Sequence, residues 1–389
     1  MRGSGARVVV LGAGIVGAAC ARELALAGCA VTVVDRGAPA EATTAHGEGN
    51  VLVSDKGPGP ELELARLSRR LWPEVLAGRT GREQTAEWDP KGGIVVATTD
   101  DGAAELERFA ASQRAAGVRA EPLDAAALAA AEPHLTRDVT AAVAYPEDAQ
   151  VQPAGAATLL LGDALRAGAE LRTGCEVLGG VARGGRITGV RTALGPVEGD
   201  AFIDAAGPWA GELSARLGAP VAVRPRRGEA LVTAPLPPTV FHKVYDAGYV
   251  GAVGSGAGDL RVSAVVEATR AGTILLGSSR RRAGFDDRLR PEVLSAIARK
   301  ALRLFPGLAG APVMRAYGGF RPYVDDHLPV VGPDPRLDGL WHAAGHEGAG
   351  IGLSVGTGRL LADLLLGRDP PVEPAPFRVD RPAVLGEIG

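Results

Sequence analysis

The chain has 389 residues, of which 46% are hydrophobic and 22% are charged, and its formal net charge is −3. This length exceeds one ordinary domain and the composition is typical of a globular protein, so disordered, collagen-like and coiled-coil proteins are excluded. Basic and acidic residues number 42 and 45, and this balance gives no sign of a nucleic-acid partner.

The first predicted elements form a βαβ unit. A β-branched run that starts at Arg7 leads directly into a glycine turn, and a helical pattern then covers residues 18–27. Gly28 ends this helix, and a second strand at residues 30–34 ends in Asp35. This order of elements is typical of a domain that binds a dinucleotide.

The rest of the chain mixes helices with short strands. The spacing of apolar residues predicts helices at 61–77, 104–116, 156–167, 291–305 and 355–366. Short β-rich runs predict strands at 93–98, 170–177, 186–192 and 202–205. Residues 221–284 alternate β-rich stretches with Gly and Pro, which is typical of an antiparallel sheet. We therefore predict an α/β and α+β protein in which a Rossmann-like domain is interleaved with an antiparallel-sheet domain.

The cysteines and the N-terminal segment indicate a cytoplasmic protein. Cys20, Cys29 and Cys175 form no C-x-x-C pair, and their odd number argues against a disulfide framework. The few residues before the first strand leave no room for a secretory signal. The longest uncharged run, residues 8–21, is too short to cross a bilayer, so we expect no membrane insertion.

Gly12, Gly14 and Gly17 form the motif G-x-G-x-x-G between the first strand and the helix. Gly12 allows the tight turn, Gly14 lets the backbone approach a pyrophosphate, and Gly17 lets helix and strand pack closely. The N-terminus of the helix offers N–H groups and partial positive charge to the phosphates. Asp35, about 20 residues further on, can accept hydrogen bonds from ribose hydroxyls. The carboxylate favours an unphosphorylated ribose, which leaves FAD and NAD open.

A second glycine-rich loop separates FAD from NAD. Residues 345–352 read Gly-His-Glu-Gly-Ala-Gly-Ile-Gly, follow a strand and precede a helix that begins near Gly356. Such a loop presents backbone N–H groups at a helix start, where they can bind the electron-rich O2 edge of a flavin ring. An NAD-dependent dehydrogenase would leave this loop without a role, so FAD is the predicted cofactor.

These motifs resemble those of a known family. Over essentially its whole length the sequence is similar to the amino acid oxidase and glycine oxidase superfamily of FAD enzymes, which have a D-amino acid oxidase-like fold. Besides the two glycine motifs and Asp35, the resemblance is carried by residues 43–50, 204–209 and 319–322. Residues 242–249 and 277–280 resemble most closely the flavoprotein subunits of hydrogen cyanide synthase and of opine or hydroxyproline dehydrogenases.

The resemblance implies a two-domain flavoprotein that oxidises the C–N bond of a small amino or imino acid. A hydride passes from the substrate α-carbon to flavin N5, and water hydrolyses the resulting imine. No side-chain base is required if the amine binds neutral. The resemblance assigns residues 1–85, 145–222 and 316–389 to the FAD-binding domain, and residues 86–144 and 223–315 to the substrate-binding domain.

The resemblance also implies which residues bind FAD. They lie in the glycine turn, at the end of the second strand, in the loop near the flavin and in three later segments. They are Gly12, Gly14, Ile15, Val16, Gly17, Asp35, Arg36, Thr43, Thr44, Ala45, His46, Gly49, Asn50, Val177, Ala206, Gly207, Trp209, Arg321, Gly348, Ala349, Gly350, Ile351 and Gly352.

The substrate carboxylate is expected to bind Arg321, which lies in the Gly-Phe-Arg-Pro segment of the family. A guanidinium can form two parallel hydrogen bonds with a carboxylate. Arg315 is the second candidate for this role. Tyr245, Tyr249, Tyr317 and Tyr323 cluster around the substrate lobe, and one or two of them, with Tyr249 and Tyr323 as the chosen candidates, are expected to close the pocket or to bind the carboxylate. For each tyrosine alone, core packing is the favoured interpretation.

His46 lies in the loop that passes close to the flavin ring in the family. Some members attach FAD covalently through a histidine in a different sequence context, so we expect noncovalent FAD, with His46 as the fallback attachment site and otherwise a catalytic neighbour of the flavin. A cysteinyl attachment is excluded because no Cys follows Cys175. His346 and Glu347 either face the substrate or shape the loop. No metal-binding motif is present in the sequence.

Alternatives remain open for the protein as a whole. The chain is either a self-sufficient enzyme, with homo-oligomers allowed, or one subunit of a complex that passes electrons to a partner flavin or iron–sulfur protein. It has no cluster-ligating cysteines of its own. A flavin-binding protein without turnover is a further alternative, which the intact segment around Arg321 disfavours.

Overall fold

The computed structural model describes residues 5–77, 81–248 and 259–386. In chain order its strands are β1 (Arg7–Leu11), β2 (Ala30–Val34), β3 (Asn50–Val51), β4 (Gly93–Ala97), β5 (Glu121–Pro122), β6 (Ala141–Tyr145), β7 (Ala149–Gln150), β8 (Glu170–Arg172), β9 (Val177–Arg183), β10 (Arg186–Thr192), β11 (Gly195–Glu198), β12 (Ala201–Asp204), β13 (Arg224–Thr233), β14 (Lys243–Asp246), β15 (Arg261–Ala268), β16 (Ile274–Arg280), β17 (Val313–Tyr323), β18 (Val330–Pro333) and β19 (Leu340–Ala344).

The predicted helices are present among the described residues with shifted ends, and shorter helices that were not predicted lie between or after them. In chain order the helices are α1 (Ile15–Leu26), α2 (Pro60–Leu76), α3 (Arg82–Ala86), α4 (Asp100–Ala115), α5 (Ala125–Ala131), α6 (Pro153–Arg166), α7 (Ala210–Leu217), α8 (Pro291–Leu304), α9 (Gly350–Leu366) and α10 (Pro382–Leu385). The shorter helices that were not predicted are α3, α5, α7 and α10. Short 3₁₀ turns at Thr44–His46, Gly207–Trp209 and Glu347–Ala349 lie near the site described below.

The N-terminal βαβ unit builds a six-stranded sheet in the order β18-β19-β12-β1-β2-β8. All its neighbours pair in parallel except β18 and β19. Val8, Val10 and Leu11 are at most 1% exposed, as expected for a parallel strand that is covered on both faces. The carboxyl ends of β1, β2 and β12 therefore meet at one edge, where such sheets bind ligands.

Helix α9 packs against α1 and α2 so closely that glycines are required at the contacts. A Cβ at Gly358 would lie 2.7 Å from the carbonyl oxygen of Ala19, and one at Gly356 would lie 3.1 Å from Cβ of Ser68. The segment 347–366 has the length and apolar composition of a membrane span, but 67% of it is buried inside the protein. In this fold it is a core helix.

The second large sheet has eight strands in the order β17-β13-β16-β15-β14-β4-β6-β5. The predicted antiparallel sheet is confirmed for most neighbours, but β4 and β14 pair in parallel. The sequence pattern of residues 221–284 could not show this, because β4 comes from a segment far earlier in the chain. The inner face of β13 and β17 lies against the carboxyl edge of the first sheet.

The proposed division into domains stays a prediction. Strand β17 begins at Val313 and pairs with β13 along its whole length, so it lies in the eight-stranded sheet. The predicted FAD-binding segment begins at residue 316, inside this strand. A strand that forms one wall of the site thus crosses the predicted boundary.

A buried ion-paired histidine ties together the carboxyl edge of the first sheet. His342 on β19 lies between two carboxylates, with Nε2 3.1 Å from Asp334 Oδ2 and Nδ1 3.6 Å from Asp204 Oδ2. All three side chains are nearly or fully buried. Burial alone would lower the pKa of His342, but the two carboxylates more than offset this and raise it above its ordinary value.

This raised pKa makes the stability of the fold depend on pH. The contribution of His342 is fully present below its unfolded pKa of about 6.5 and is lost as the pH rises through the higher folded pKa. Relative to a His342→Gln variant, the wild-type free energy of unfolding should fall as the pH rises above about 6.5, by at most about 1.4 kcal/mol per pH unit. Denaturant unfolding at several pH values measures this difference. Parallel pH curves for the two proteins would contradict it.

Candidate active site

A cavity of about 610 Å³ lies between the carboxyl edge of the first sheet and the inner face of the second. Gly14, Asp35 and Trp209 line one end of it, and Tyr317 and Arg321 line the other. The cavity thus runs from the predicted dinucleotide turn to the predicted carboxylate-binding arginine.

The glycine turn has the close contacts that its motif predicts. Gly12 has φ +121°, and a Cβ there would lie 2.5 Å from the carbonyl oxygen of Ala205. A Cβ at Gly17 would lie 2.0 Å from the carbonyl oxygen of Gly12. At Gly14 the nearest atom to a Cβ would be Thr44 Oγ1, at 3.3 Å, and Gly14 lines the cavity. Gly12 and Gly17 are therefore required by the fold, whereas Gly14 leaves space for a ligand.

The carboxylate of Asp35 holds the turn from the second strand. Its Oδ2 accepts a hydrogen bond from the backbone N–H of Ala13 at 2.7 Å, and its Oδ1 accepts one from Gly37 at 2.8 Å. Each carboxylate oxygen has a second lone pair, so Asp35 can also accept a ribose hydroxyl. One carboxylate can thus both fix the turn and bind the nucleotide.

Aromatic side chains lie at the end of the cavity that Gly14 and Asp35 also line. The guanidinium carbon of Arg36 lies 4.3 Å from the centre of the Trp209 ring. The other face of Trp209 stacks on Phe285, with ring centres 5.3 Å apart and an angle of 6° between the planes. Val177 lines the cavity nearby. These flat and apolar surfaces suit an adenine ring.

The loop after β19 is held by buried charges. Glu347 has φ +46°, and its carboxylate accepts a hydrogen bond from Arg226 Nη1 at 2.6 Å and lies 3.0 Å from Nδ1 of His327. Burial would raise the pKa of Glu347, but His327 and the nearby arginines hold it below its ordinary value. Glu347 is thus an ion-paired support of the loop, and it also lines the cavity, so both of its predicted roles stay open.

His346 of the same loop is uncharged in the fold. Its Nε2 lies 3.0 Å from Thr357 Oγ1, and burial lowers its pKa to about 3. Helix α9 begins directly after this loop, at Gly350 and not near Gly356 as predicted. The first-turn N–H groups of Gly350 and Ile351 therefore border the cavity.

Arg321 reaches across a neighbouring strand. Its side chain starts on β17 and passes over Gly228 on β13, where a Cβ would lie 2.1 Å from Nη1. Nη1 donates a hydrogen bond to the carbonyl oxygen of Ser279 on β16 at 2.8 Å. The side chain also passes Gly348 in the loop after β19 (residues 345–349, the flavin loop), and a Cβ at Gly348 would lie 3.5 Å from Nε. The guanidinium is thus held in the cavity wall by three strands and a loop.

His46 and Tyr317 form the neighbouring part of the wall. Their ring centres lie 5.8 Å apart, and Nδ1 of His46 lies 2.7 Å from the carbonyl oxygen of Ala42, to which it can donate. Burial raises the pKa of Tyr317 well above its ordinary value, so its hydroxyl stays protonated. Arg315 lies with its guanidinium carbon 5.1 Å from the Tyr317 ring and does not line the cavity.

Most of the predicted FAD-binding residues line the cavity. They are Gly12, Gly14, Ile15, Val16, Asp35, Arg36, Thr43, Thr44, His46, Gly49, Asn50, Val177, Ala206, Gly207, Trp209, Arg321, Gly348, Gly350 and Ile351. The predicted residues that do not line it are Gly17, Ala45, Ala349 and Gly352. Gly17 and Gly352 instead allow close packing, since a Cβ at Gly352 would lie 2.8 Å from the carbonyl oxygen of Asn50.

Tyr323, one of the candidate pocket residues, is not among the residues that line the cavity. Its ring is 1% exposed and lies between the guanidinium groups of Arg226 and Arg282, whose carbons are 5.2 and 4.6 Å from the ring centre. Its hydroxyl accepts a hydrogen bond from Arg282. The end of β17 turns this side chain into a buried cluster, so core packing describes it. Tyr249 lies outside the described residues.

Glu48 and Gly228 are among the cavity-lining residues that sequence reasoning did not single out. Glu48 could have been predicted, because it is a charged residue between two glycines in the loop 43–50, which the family resemblance places near the flavin. Gly228 carries no such signal, since only the pairing of β13 with β17 places it under Arg321.

The chain belongs to the family of FAD-dependent oxidoreductases designated DAO, which it matches over residues 7–364. It is 32% identical over 379 residues to glycine oxidase of Pseudomonas aeruginosa, covering 95% of this chain and 98% of that protein. It is 29% identical over 417 residues to hydrogen cyanide synthase subunit HcnC of the same species, with 96% and 95% covered. Glycine oxidase of Geobacillus kaustophilus has a similar structure, with a TM-score of 0.86, 27% identity, and 97% and 99% covered.

These relationships confirm the predicted family, the mixed α/β fold, FAD as the cofactor and an oxidoreductase activity. The identities to glycine oxidase and to HcnC are of similar size, so they do not assign the chain to one branch. The cavity itself also fits FAD, because Gly14 is open to it, helix α1 points its N-terminus at it, and Asp35 and the stacked Trp209 lie beyond the turn. The residues present are those that a dinucleotide needs.

The open space at Gly14 gives a test of FAD binding. A Gly14→Val variant should fold but lose bound FAD, because its side chain would occupy the place of the pyrophosphate. Gly17→Ala should instead impair folding, since its Cβ would overlap the carbonyl oxygen of Gly12. Absorbance near 450 nm and circular dichroism of the purified variants separate the two effects. Stoichiometric FAD in folded Gly14→Val protein would contradict the assignment.

The mode of FAD attachment is tested separately. We expect noncovalent FAD, so acid precipitation of the protein should leave the yellow colour in the supernatant. If the colour stays with the pellet, the prediction is wrong, and a His46→Ala variant should then release the flavin.

Proposed function

We propose that this enzyme oxidises the C–N bond of a small amino or imino acid. The relatives named glycine oxidase, and the D-amino acid dehydrogenase of Cereibacter sphaeroides at 30% identity, support this reaction class. The observation that carries the proposal is the position of Arg321, a guanidinium fixed in the wall of the FAD cavity beyond the flavin loop.

Arg321 binds the substrate carboxylate in this proposal. Its five N–H donors lie in a planar fork, which matches a carboxylate with two parallel hydrogen bonds. The hydrogen bond to the carbonyl oxygen of Ser279 fixes the plane of the guanidinium before substrate arrives. Because the α-carbon is bonded directly to the carboxylate, binding of the carboxylate to Arg321 also fixes where the α-carbon lies in the cavity.

Bound FAD supplies a two-electron acceptor that takes a hydride from the substrate α-carbon. The protein positions the substrate and excludes water rather than supplying a strong base. His346 is neutral because burial lowers its pKa to about 3, and the Glu347 carboxylate is paired with Arg226 and His327. An amine that binds in its neutral form can therefore react without a side-chain base.

Anaerobic mixing with candidate substrates tests the proposed reaction. The panel is glycine, N-methylglycine, D-amino acids, and the isomers of proline and hydroxyproline. At least one of them should bleach the flavin absorbance near 450 nm. A flavin that none of them reduces would contradict the proposal and favour a flavin-binding protein without turnover.

The similarity to subunit HcnC supports a second candidate, a subunit that passes electrons to a partner protein. The same substrate assayed with oxygen and with an artificial dye separates the candidates. Fast turnover with dye and slow turnover with oxygen would favour the partner-dependent dehydrogenase. Equal turnover with both would favour an oxidase.

Removal of the Arg321 guanidinium should impair substrate use strongly. Arg321→Ala leaves a buried carboxylate unpaired, and such losses are about 2–5 kcal/mol, or roughly 30- to 4,000-fold in kcat/KM. Arg321→Lys should recover only part of this, because an ammonium lacks the planar fork. Steady-state kinetics with the best amino acid of the panel measure the effect, and FAD content should stay unchanged.

A Gly228→Ala variant tests the same position without removing the charge. Its Cβ would overlap Nη1 of Arg321 and displace the guanidinium from Ser279. We expect a lower kcat/KM for amino acids and a smaller loss for amines that have no carboxylate. Wild-type kinetics in both Arg321→Ala and Gly228→Ala would show that the carboxylate binds elsewhere.

A further inference from the structure

Glu48 is a charged side chain in the wall of the cavity that the proposed reaction does not yet use. It lies in the loop between the 3₁₀ turn Thr44–His46 and β3, and its side chain is 12% exposed. Its Oε2 accepts a hydrogen bond from Asn50 Nδ2 at 3.1 Å and lies 3.7 Å from Nζ of Lys243. One oxygen of the carboxylate is therefore held by the protein.

The other oxygen of Glu48 has no such partner. Within residues 5–77, 81–248 and 259–386, Oε1 accepts no hydrogen bond, and it lies against Gly277 of β16. A Cβ at position 277 would be 2.2 Å from Oε1, so this carboxylate reaches its place only because residue 277 is a glycine. A carboxylate oxygen in the cavity wall that accepts no hydrogen bond from the described residues can accept one from a ligand.

Glu48 is ionised in this environment. Burial alone would raise its pKa, but the positive charges of Lys243, Arg321 and Arg280, together with the hydrogen bond from Asn50, hold it below its ordinary value. The cavity wall thus presents a carboxylate that keeps its negative charge at neutral pH.

Strand β16 brings this carboxylate close to Arg321. Arg321 Nη1 is bonded to the carbonyl oxygen of Ser279, and Glu48 Oε1 lies over Gly277, two positions earlier. The positive charge of Arg321 also acts on Glu48 and lowers its pKa, and both side chains line the cavity. An amino acid carries a nitrogen donor and a carboxylate acceptor on one carbon, so a single small ligand can contact both groups.

We propose that Glu48 binds the amino or imino nitrogen of the substrate while Arg321 binds its carboxylate. The inference rests on the proposed function and specifies its substrate class: amino acids that carry both groups on one carbon. An amine N–H donates to Oε1 whether the amine is charged or neutral, so the contact persists in the reacting form. A 2-hydroxy acid satisfies Arg321 and can donate its O–H to Glu48, but it never brings the positive charge that an amino acid carries when it enters as an ammonium, so it gains less from the Glu48 carboxylate.

The test compares an amino acid with the 2-hydroxy acid of the same carbon skeleton. In a Glu48→Gln variant with bound FAD, kcat/KM for the best amino acid of the panel should fall about 10- to 100-fold, the range for a lost hydrogen bond to a charged group. The dissociation constant of the matched hydroxy acid, measured by perturbation of the flavin spectrum, should stay the same or decrease. The selectivity between the two ligands therefore shrinks.

Glu267→Gln is the matched control. Glu267 Oε2 accepts a hydrogen bond from the same Lys243 Nζ at 2.8 Å, but Glu267 is fully buried and does not line the cavity. The change replaces a carboxyl group that contacts the same Lys243 with an amide of the same shape, as Glu48→Gln does. It should leave the selectivity between amino and hydroxy acid within about threefold of wild type.

Several results would overturn the inference. Glu48→Gln with wild-type selectivity would do so, as would an equal loss of affinity for the hydroxy acid or an equal loss of selectivity in Glu267→Gln, since these indicate a structural role. If no amino acid reduces the wild-type flavin, the proposed function fails together with the inference. If amino acids reduce it and Glu48→Gln behaves as wild type, only the role of Glu48 fails.

Discussion

The hydrogen bond from Arg321 to the carbonyl oxygen of Ser279 is the interaction on which the site depends. It fixes a charged group in the cavity wall, and it requires that β13 present a glycine where the side chain crosses. The pairing of Gly228 with Gly319 leaves β13 and β17 bare at this point. The eight-stranded sheet therefore has a surface without side chains at this point, and the Arg321 side chain extends across it.

The six-stranded sheet, on the other side of the cavity, is constrained by close packing. Its carboxyl edge must hold a tight glycine turn, a helix N-terminus and a second helix start at α9 within the same small space, and each is secured by contacts that tolerate no side chain. Charged side chains then hold these elements in place. Asp35 holds the turn, His342 links β19 to its neighbouring strands, and Glu347 holds the loop. Cofactor and substrate thus meet rigid walls on both sides.

The sequence predicted the parts of the site that depend on local order. The turn from Gly12 to Gly17 and the loop before α9 are each identified by a short motif of consecutive residues. Contacts between distant strands were not predictable in this way. Tyr323 was a candidate for the pocket because it clusters with other tyrosines around the predicted substrate lobe, but the end of β17 packs it between Arg226 and Arg282. Glu48 was passed over because its neighbours Gly277 and Lys243 come from strands more than 190 positions later.

The most direct test of the account is a crystal structure of the FAD-loaded protein with a small unreactive carboxylic acid. The account predicts a carboxylate with two hydrogen bonds to the Arg321 guanidinium, which stays over Gly228 and bonded to Ser279, and the ligand between this group and the flavin. A carboxylate bound elsewhere in the cavity, with no contact to Arg321, would contradict the central claim.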